Sequence, residues 1–126
     1  MLVTDRIIKE LEWRIYRARK RWKLRNHHFS IISANCCGTF IYYDWGLPYS
    51  SPTINLTIEM DDFVKLAGNL KWYMDQKLIQ AQIQEQHPVG MLGDVKVHFI
   101  HYKTFKEAAQ KWEERKTRIN WENLFI

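Results

Sequence analysis

A chain of 126 residues, 46% hydrophobic and 26% charged, has room for one hydrophobic core and is too apolar to remain disordered. No apolar run approaches the roughly 18 residues that cross a bilayer, so no spanning helix is predicted. The only cysteines, Cys36 and Cys37, are neighbours that cannot build a disulfide framework, and a reducing, cytoplasmic compartment is expected.

The net charge of +5 is unevenly spread. Residues 1–28 hold nine Lys/Arg against Asp5, Glu10 and Glu12, whereas the remainder holds ten basic against eleven acidic residues. That contrast divides the chain into a basic N-terminal helix, 1–28, and an α/β domain, 29–126. In the first part Ile7, Ile8, Leu11, Ile15, Ala18 and Trp22 recur at three- and four-residue spacing on one helical face, with basic residues around them. Such a helix can lie on an anionic membrane surface, with Arg14, Arg17, Arg21 and Arg25 near lipid phosphates, or dock on the domain with its charges solvated. Nucleic acid is not an expected partner, since no recognised binding motif accompanies the charge.

Phe29 to Ser33 is predicted as a central parallel strand, being a short apolar run. A polar break through Asn35-Cys36-Cys37-Gly38 leads into a short aromatic helix ended by Gly46. The segment 47–52 must be loop, because Pro48 and Pro52 deny a ladder its donors. Thr53 to Ile58 reads as a second strand. Glu59, Asp61 and Asp62 then open a helix striped by Phe63, Leu66, Ala67, Leu70 and Met74. Residues 80–93 read as loop. Asp94 to Tyr102 is the clearest strand, and Thr104 with Glu107 forms a capping box ahead of a helix through Trp112. The final Leu124-Phe125-Ile126 looks like the start of another strand. This alternation predicts an α/β three-layer sandwich with a small, mainly parallel sheet and a basic amphipathic N-terminal helix.

Many blocks then fall in a fixed order. They include Asn35-Cys36 with Gly38, Gly46-Leu47-Pro48-Tyr49, Ser51-Pro52-Thr53, Pro88-Val89-Gly90, Leu92-Gly93-Asp94 and His98 through Lys103. Glu107-Ala108, Lys111-Trp112, Arg115 and Arg118-Ile119-Asn120-Trp121 complete the set. Together they resemble an uncharacterised bacterial family, the domain of unknown function numbered nineteen-nineteen, from about residue 29 to residue 126. The resemblance implies a setting in exopolysaccharide production and a family domain that continues past this C-terminus, so a truncated or minimal version is expected.

Three constellations are candidates for chemistry. Cys36 lies where a strand gives way to a helix, and a parallel neighbour strand would bring His101 to the same rim as its base. The competing reading is a small buried cysteine and a histidine satisfied by a carbonyl. Asp94 and His98 share a strand face and are candidate ligand contacts. The loop with Tyr49 and Ser51 offers rings beside hydroxyls, which suit a partly apolar sugar or lipid-linked sugar, or else simply pack the short helix. Asn35 and Gly38 would shape an anion-binding turn. The expected function is an acyl- or sugar-modifying transferase using Cys36 and His101. Its alternative is a non-catalytic peripheral module at the inner face of the membrane. No metal-ligand spacing and no cofactor motif is present.

Overall fold

The computed structural model describes residues 3–24 and 27–126. Its elements are α1 (Val3–Lys23), β1 (Ser30–Ile31), α2 (Cys37–Trp45), α3 (Met60–Gly68), α4 (Leu70–Met74), β2 (Leu78–Gln80), β3 (Val89–Leu92), β4 (Val95–His98), α5 (Phe105–Lys116) and β5 (Leu124–Phe125). The protein is thus a mixed α/β chain, as its patterning requires.

The expected mainly parallel sheet is not what these strands form. β1 and β5 pair in parallel, whereas β2, β3 and β4 form an antiparallel meander. β4 lies within the expected strand, whereas β3 occupies the stretch read as loop from its glycines. Gly93, at φ 60°, opens a two-residue turn between β3 and β4, a position that favours glycine. Gly90 is inside β3 because a Cβ there would meet Leu78 Cδ1 at 2.8 Å and Phe99 Cε2 at 3.1 Å. Glycine here marks close packing rather than a break.

The segment 53–58, expected as a regular strand, is extended but irregular. Pro52 precedes it and Asn55 takes φ 56°, which interrupts any ladder. It nevertheless joins the two sheets. On one side Thr53 Oγ1 donates to the Ile31 carbonyl and accepts from the Ser33 N–H, and the Ile58 N–H donates to the Ala34 carbonyl. On the other, Thr57 and His98 exchange two main-chain bonds of 2.9 Å in an antiparallel bridge. Past this bridge the free edge of β4 is closed by Asp62, whose Oδ2 accepts from the Lys96 N–H at 3.0 Å.

β4 alternates cleanly. Val95 and Val97 enter a core with Leu66, Leu70, Phe99 and the fully buried Trp112, while Lys96 and His98 face outward. A second, smaller core of Phe29, Tyr42 and Ile54 lies under α2. The tail of the predicted strand turns at Phe99–Tyr102, closed by the Tyr102 N–H on the Phe99 carbonyl. Thr104 caps α5 as its sequence indicates, accepting from the Glu107 N–H at 3.2 Å. The helix expected over 59–74 is divided at Asn69, whose φ of −148° is not helical.

Candidate functional site

Cys36 precedes the first turn of α2, with its Sγ 4.0 Å from the Leu56 carbonyl. His101 is exposed in the turn beyond β4. The pairing expected from parallel neighbour strands is not formed: β1 and β4 belong to separate sheets, and among the described residues no hydrogen bond joins the two side chains. Among the described residues no carboxylate or imidazole bonds to either cysteine, and no cluster of three His, Cys, Asp or Glu could hold a metal ion.

The other predicted contacts divide by what already occupies them. Asn35 Oδ1 accepts from the Cys37 N–H at 2.9 Å, satisfying a free donor at the start of α2. Gly38 lets α2 close on β1, since a Cβ would stand 2.9 Å from Ser33 Oγ and 3.2 Å from Ile31 Cγ2. Ser51 is fully buried against Thr53, with its hydroxyl 2.9 Å from Thr53 Oγ1, so it faces no ligand. Asp94 accepts from the Tyr73 hydroxyl at 2.7 Å and lies 3.6 Å from Lys65. The Tyr73 bond is the main reason the Asp94 carboxyl is held below its ordinary pKa, and the same bond raises Tyr73. His98 meets His87, Nδ1 to Nε2 at 3.0 Å, one ring donating and the other accepting.

The cations of α1 are also partly engaged. Arg17 stacks over Tyr43 (5.2 Å to the ring centre) and Trp13 (5.9 Å), and Arg21 donates to the Gly46 carbonyl at 3.3 Å. Gly46 adopts φ 64° at the end of α2, and any Cβ there would collide with the Arg21 guanidinium. Arg14 is exposed and paired with Glu10. Arg25 lies outside the described residues.

Of the predicted residues, Tyr49 is the one set beside two arginines from the far end of the chain. The Arg115 guanidinium lies 5.1 Å from the centre of its ring, and Arg118 Nη1 donates to its carbonyl at 3.2 Å. Arg115 also donates to the Tyr102 hydroxyl at 2.7 Å, and that hydroxyl in turn donates to the Ile54 carbonyl. Burial is the chief reason the Tyr102 pKa is raised, so the phenol stays protonated and able to donate. Among the described residues neither guanidinium is paired with a carboxylate, and no hydrogen bond occupies the Tyr49 hydroxyl.

Separate parts of the chain hold this cluster. The buried Ser30 hydroxyl donates to the Ser50 carbonyl at 2.6 Å and accepts from the Asn120 N–H at 2.8 Å. Asn120 and Asn123 both donate to the His28 carbonyl. The loop carrying Tyr49 and the turn carrying Arg118 are therefore tied to β1 through one side chain. Sequence spacing could not reveal this: Tyr49 and Arg118 are 69 positions apart, and Tyr102 and Arg115 are 13. The only signal was that all four belong to the blocks that carry the family resemblance.

The fold and this cluster describe a mixed α/β domain with an arginine–tyrosine cluster rather than a nucleophile–base dyad. The chain belongs to the family described as a domain of unknown function (DUF1919), whose model matches residues 7–126. The match takes in most of α1, so the basic helix is part of the family domain rather than an appendage to it. A protein of Haemophilus influenzae named "Uncharacterized protein" is 41% identical over 104 residues, covering 82% of this chain and 50% of the relative. The chain thus spans half the length of that relative.

Proposed function

We propose that this protein binds a phosphorylated sugar, free or lipid-linked, in bacterial exopolysaccharide production. The observation that carries the reading is a pair of guanidinium groups, without carboxylate partners among the described residues, one against the Tyr49 ring and one on its carbonyl. Arginine presents a planar fork suited to phosphate oxygens, and a ring with a free hydroxyl suits the sugar. Helix C-terminal cations interact favourably with the helix dipole, which accounts for basic residues near the end of α5. It does not account for Arg115 turning back onto Tyr49 and Tyr102.

A lipid-linked form of the ligand is favoured by a second feature. An apolar groove of about 470 Å³ is lined by Leu24, Phe29, Ile31, Ile41, Trp45 and Phe125. Phe29 stacks on Tyr42 at 5.8 Å and Tyr42 meets Tyr49 edge-on at 6.0 Å, so a row of rings runs from the groove to the Tyr49 cluster. The transferase reading would need a base for Cys36 from outside the described contacts, and binding is the better-supported activity. Tyr42 of α2 shares one core with Phe29 and Ile31, and Trp112 of α5 shares the other with Ile32, which favours a local three-layer arrangement, and free cysteines favour a cytoplasmic setting.

The test is calorimetric titration with glucose 1-phosphate, inorganic phosphate and methyl glucoside. Glucose 1-phosphate is expected to bind more tightly than either fragment, and Arg115→Ala or Arg118→Ala to weaken it by about tenfold or more, in line with a lost charge-assisted bond. Absence of binding by all three, or equal binding by both variants, would refute the reading.

A further inference from the structure

α1 has two faces, and the domain uses the unexpected one. Arg17, Lys20 and Arg21 turn toward α2 with Trp13 and Leu24, placing Lys20 5.9 Å from the Trp45 ring. No residue of α1 is buried. Ile7, Ile8, Leu11 and Ile15 are each more than half exposed, and Trp22 is 85% exposed. At 100° per residue the centre of this apolar stripe lies roughly 140° around the helix from the docked face. The ordinary arrangement, apolar face inward and cations outward, is therefore inverted.

We propose that the exposed stripe of α1 docks on an anionic lipid surface. A helix with a continuous apolar stripe, Trp at its C-terminal end and eight basic against three acidic residues has the composition of an interfacial helix. Arg14 and Arg19 flank the stripe on its two sides, and Lys23 stands next to Trp22. Neither Arg19 nor Lys23 has an ion-pair partner among the described residues. Charge also decides against pairing with a parallel second copy: Ile8, Leu11, Ile15, Ala18 and Trp22 fit a coiled-coil seam, but Arg14 would then face Arg19 of the other helix. Anionic lipid headgroups complement those cations. The stripe and its flanks exclude Arg17 and Arg21, which the domain holds, so the surface contacts are Arg14, Arg19, Trp22 and Lys23. The proposal does not depend on a ligand at Tyr49.

Co-sedimentation with vesicles of phosphatidylcholine, alone or mixed with phosphatidylglycerol, tests it on the full chain. Binding is expected only to the mixed vesicles, weakening as salt rises. Ile15→Glu and Trp22→Glu, on exposed positions, should each reduce binding about tenfold or more, while Val64→Glu on the exposed side of α3 should not. Far-ultraviolet circular dichroism checks that each variant keeps its helices. The proposal is overturned if the wild type stays in the supernatant with the mixed vesicles, or if the α1 variants bind as well as it does. It is equally overturned if sedimentation velocity shows a dimer that Ile15→Glu dissociates while vesicles are ignored.

Discussion

Replacing Ser30 by Ala removes one oxygen and breaks two bonds. The hydroxyl is fully buried, donates to the Ser50 carbonyl at 2.6 Å and accepts from the Asn120 N–H at 2.8 Å. A typical internal hydrogen bond contributes about 1 kcal/mol net, and a buried group left without a partner costs about 1–3 kcal/mol. Ser50 and Asn120 are only half-buried, so water relieves part of that cost. The expected loss is therefore about 2–3 kcal/mol, or about 10 °C in Tm for a domain of this size. Urea denaturation with calorimetry measures it, with Ser50→Ala as control. Ser50 accepts through its main chain, so its own truncation should change stability by less than about 0.5 kcal/mol. The same variant should weaken phosphorylated-sugar binding, because Tyr49 and Arg118 lose their common anchor. A loss below about 0.5 kcal/mol for Ser30→Ala, or equal losses for the two variants, would refute the reasoning.

Gly38→Ala should destabilise the protein by about 1–3 kcal/mol through overpacking against Ser33 and Ile31, measured by the denaturation midpoint. Asp94 has a lowered pKa, so its contribution to stability is present above the ordinary carboxyl value of 3.8 and is lost as pH falls below that toward its folded pKa; Asp94→Asn should flatten this acid limb of the Tm–pH curve. An unchanged limb would mean that the Tyr73 bond does not persist in solution. Alkylation followed by mass spectrometry should label exposed Cys37 before the half-buried Cys36, whose environment offers no base. Tyr102→Phe should weaken phosphorylated-sugar binding several-fold, since Arg115 loses its hydrogen bond to the phenol, and unaltered affinity would remove Tyr102 from the site.

Local signals in the sequence were reliable where a single element decides its own structure. The cap at Thr104, the end of α2 at Gly46, the alternation of Val95 and Val97, and the strand at Leu124–Phe125 all follow from neighbouring residues. Strand direction did not, because it depends on which segments meet. β3 was hidden by Gly90, which is small to admit Leu78 and Phe99 rather than to make a turn. The inverted seating of α1 was equally illegible: periodicity finds the apolar stripe, but only the positions of Tyr43, Trp45 and the Gly46 carbonyl explain why the arginines turn inward. At the site, composition pointed to the Tyr49 loop. Its partners Arg115 and Arg118 come from the far end of the chain, and Ser51, chosen for the same loop, is consumed by Thr53.

On the proposed reading, Arg115 and Arg118 act together on one anionic, hydroxyl-bearing ligand. Their side-chain Nε–H resonances in nitrogen-15 correlation spectra, assigned by Arg115→Lys and Arg118→Lys, report on it most directly. Both resonances should move with added glucose 1-phosphate and saturate on one binding curve, with methyl glucoside leaving them in place. Resonances that stay still, or that follow two unrelated curves, would contradict a shared site.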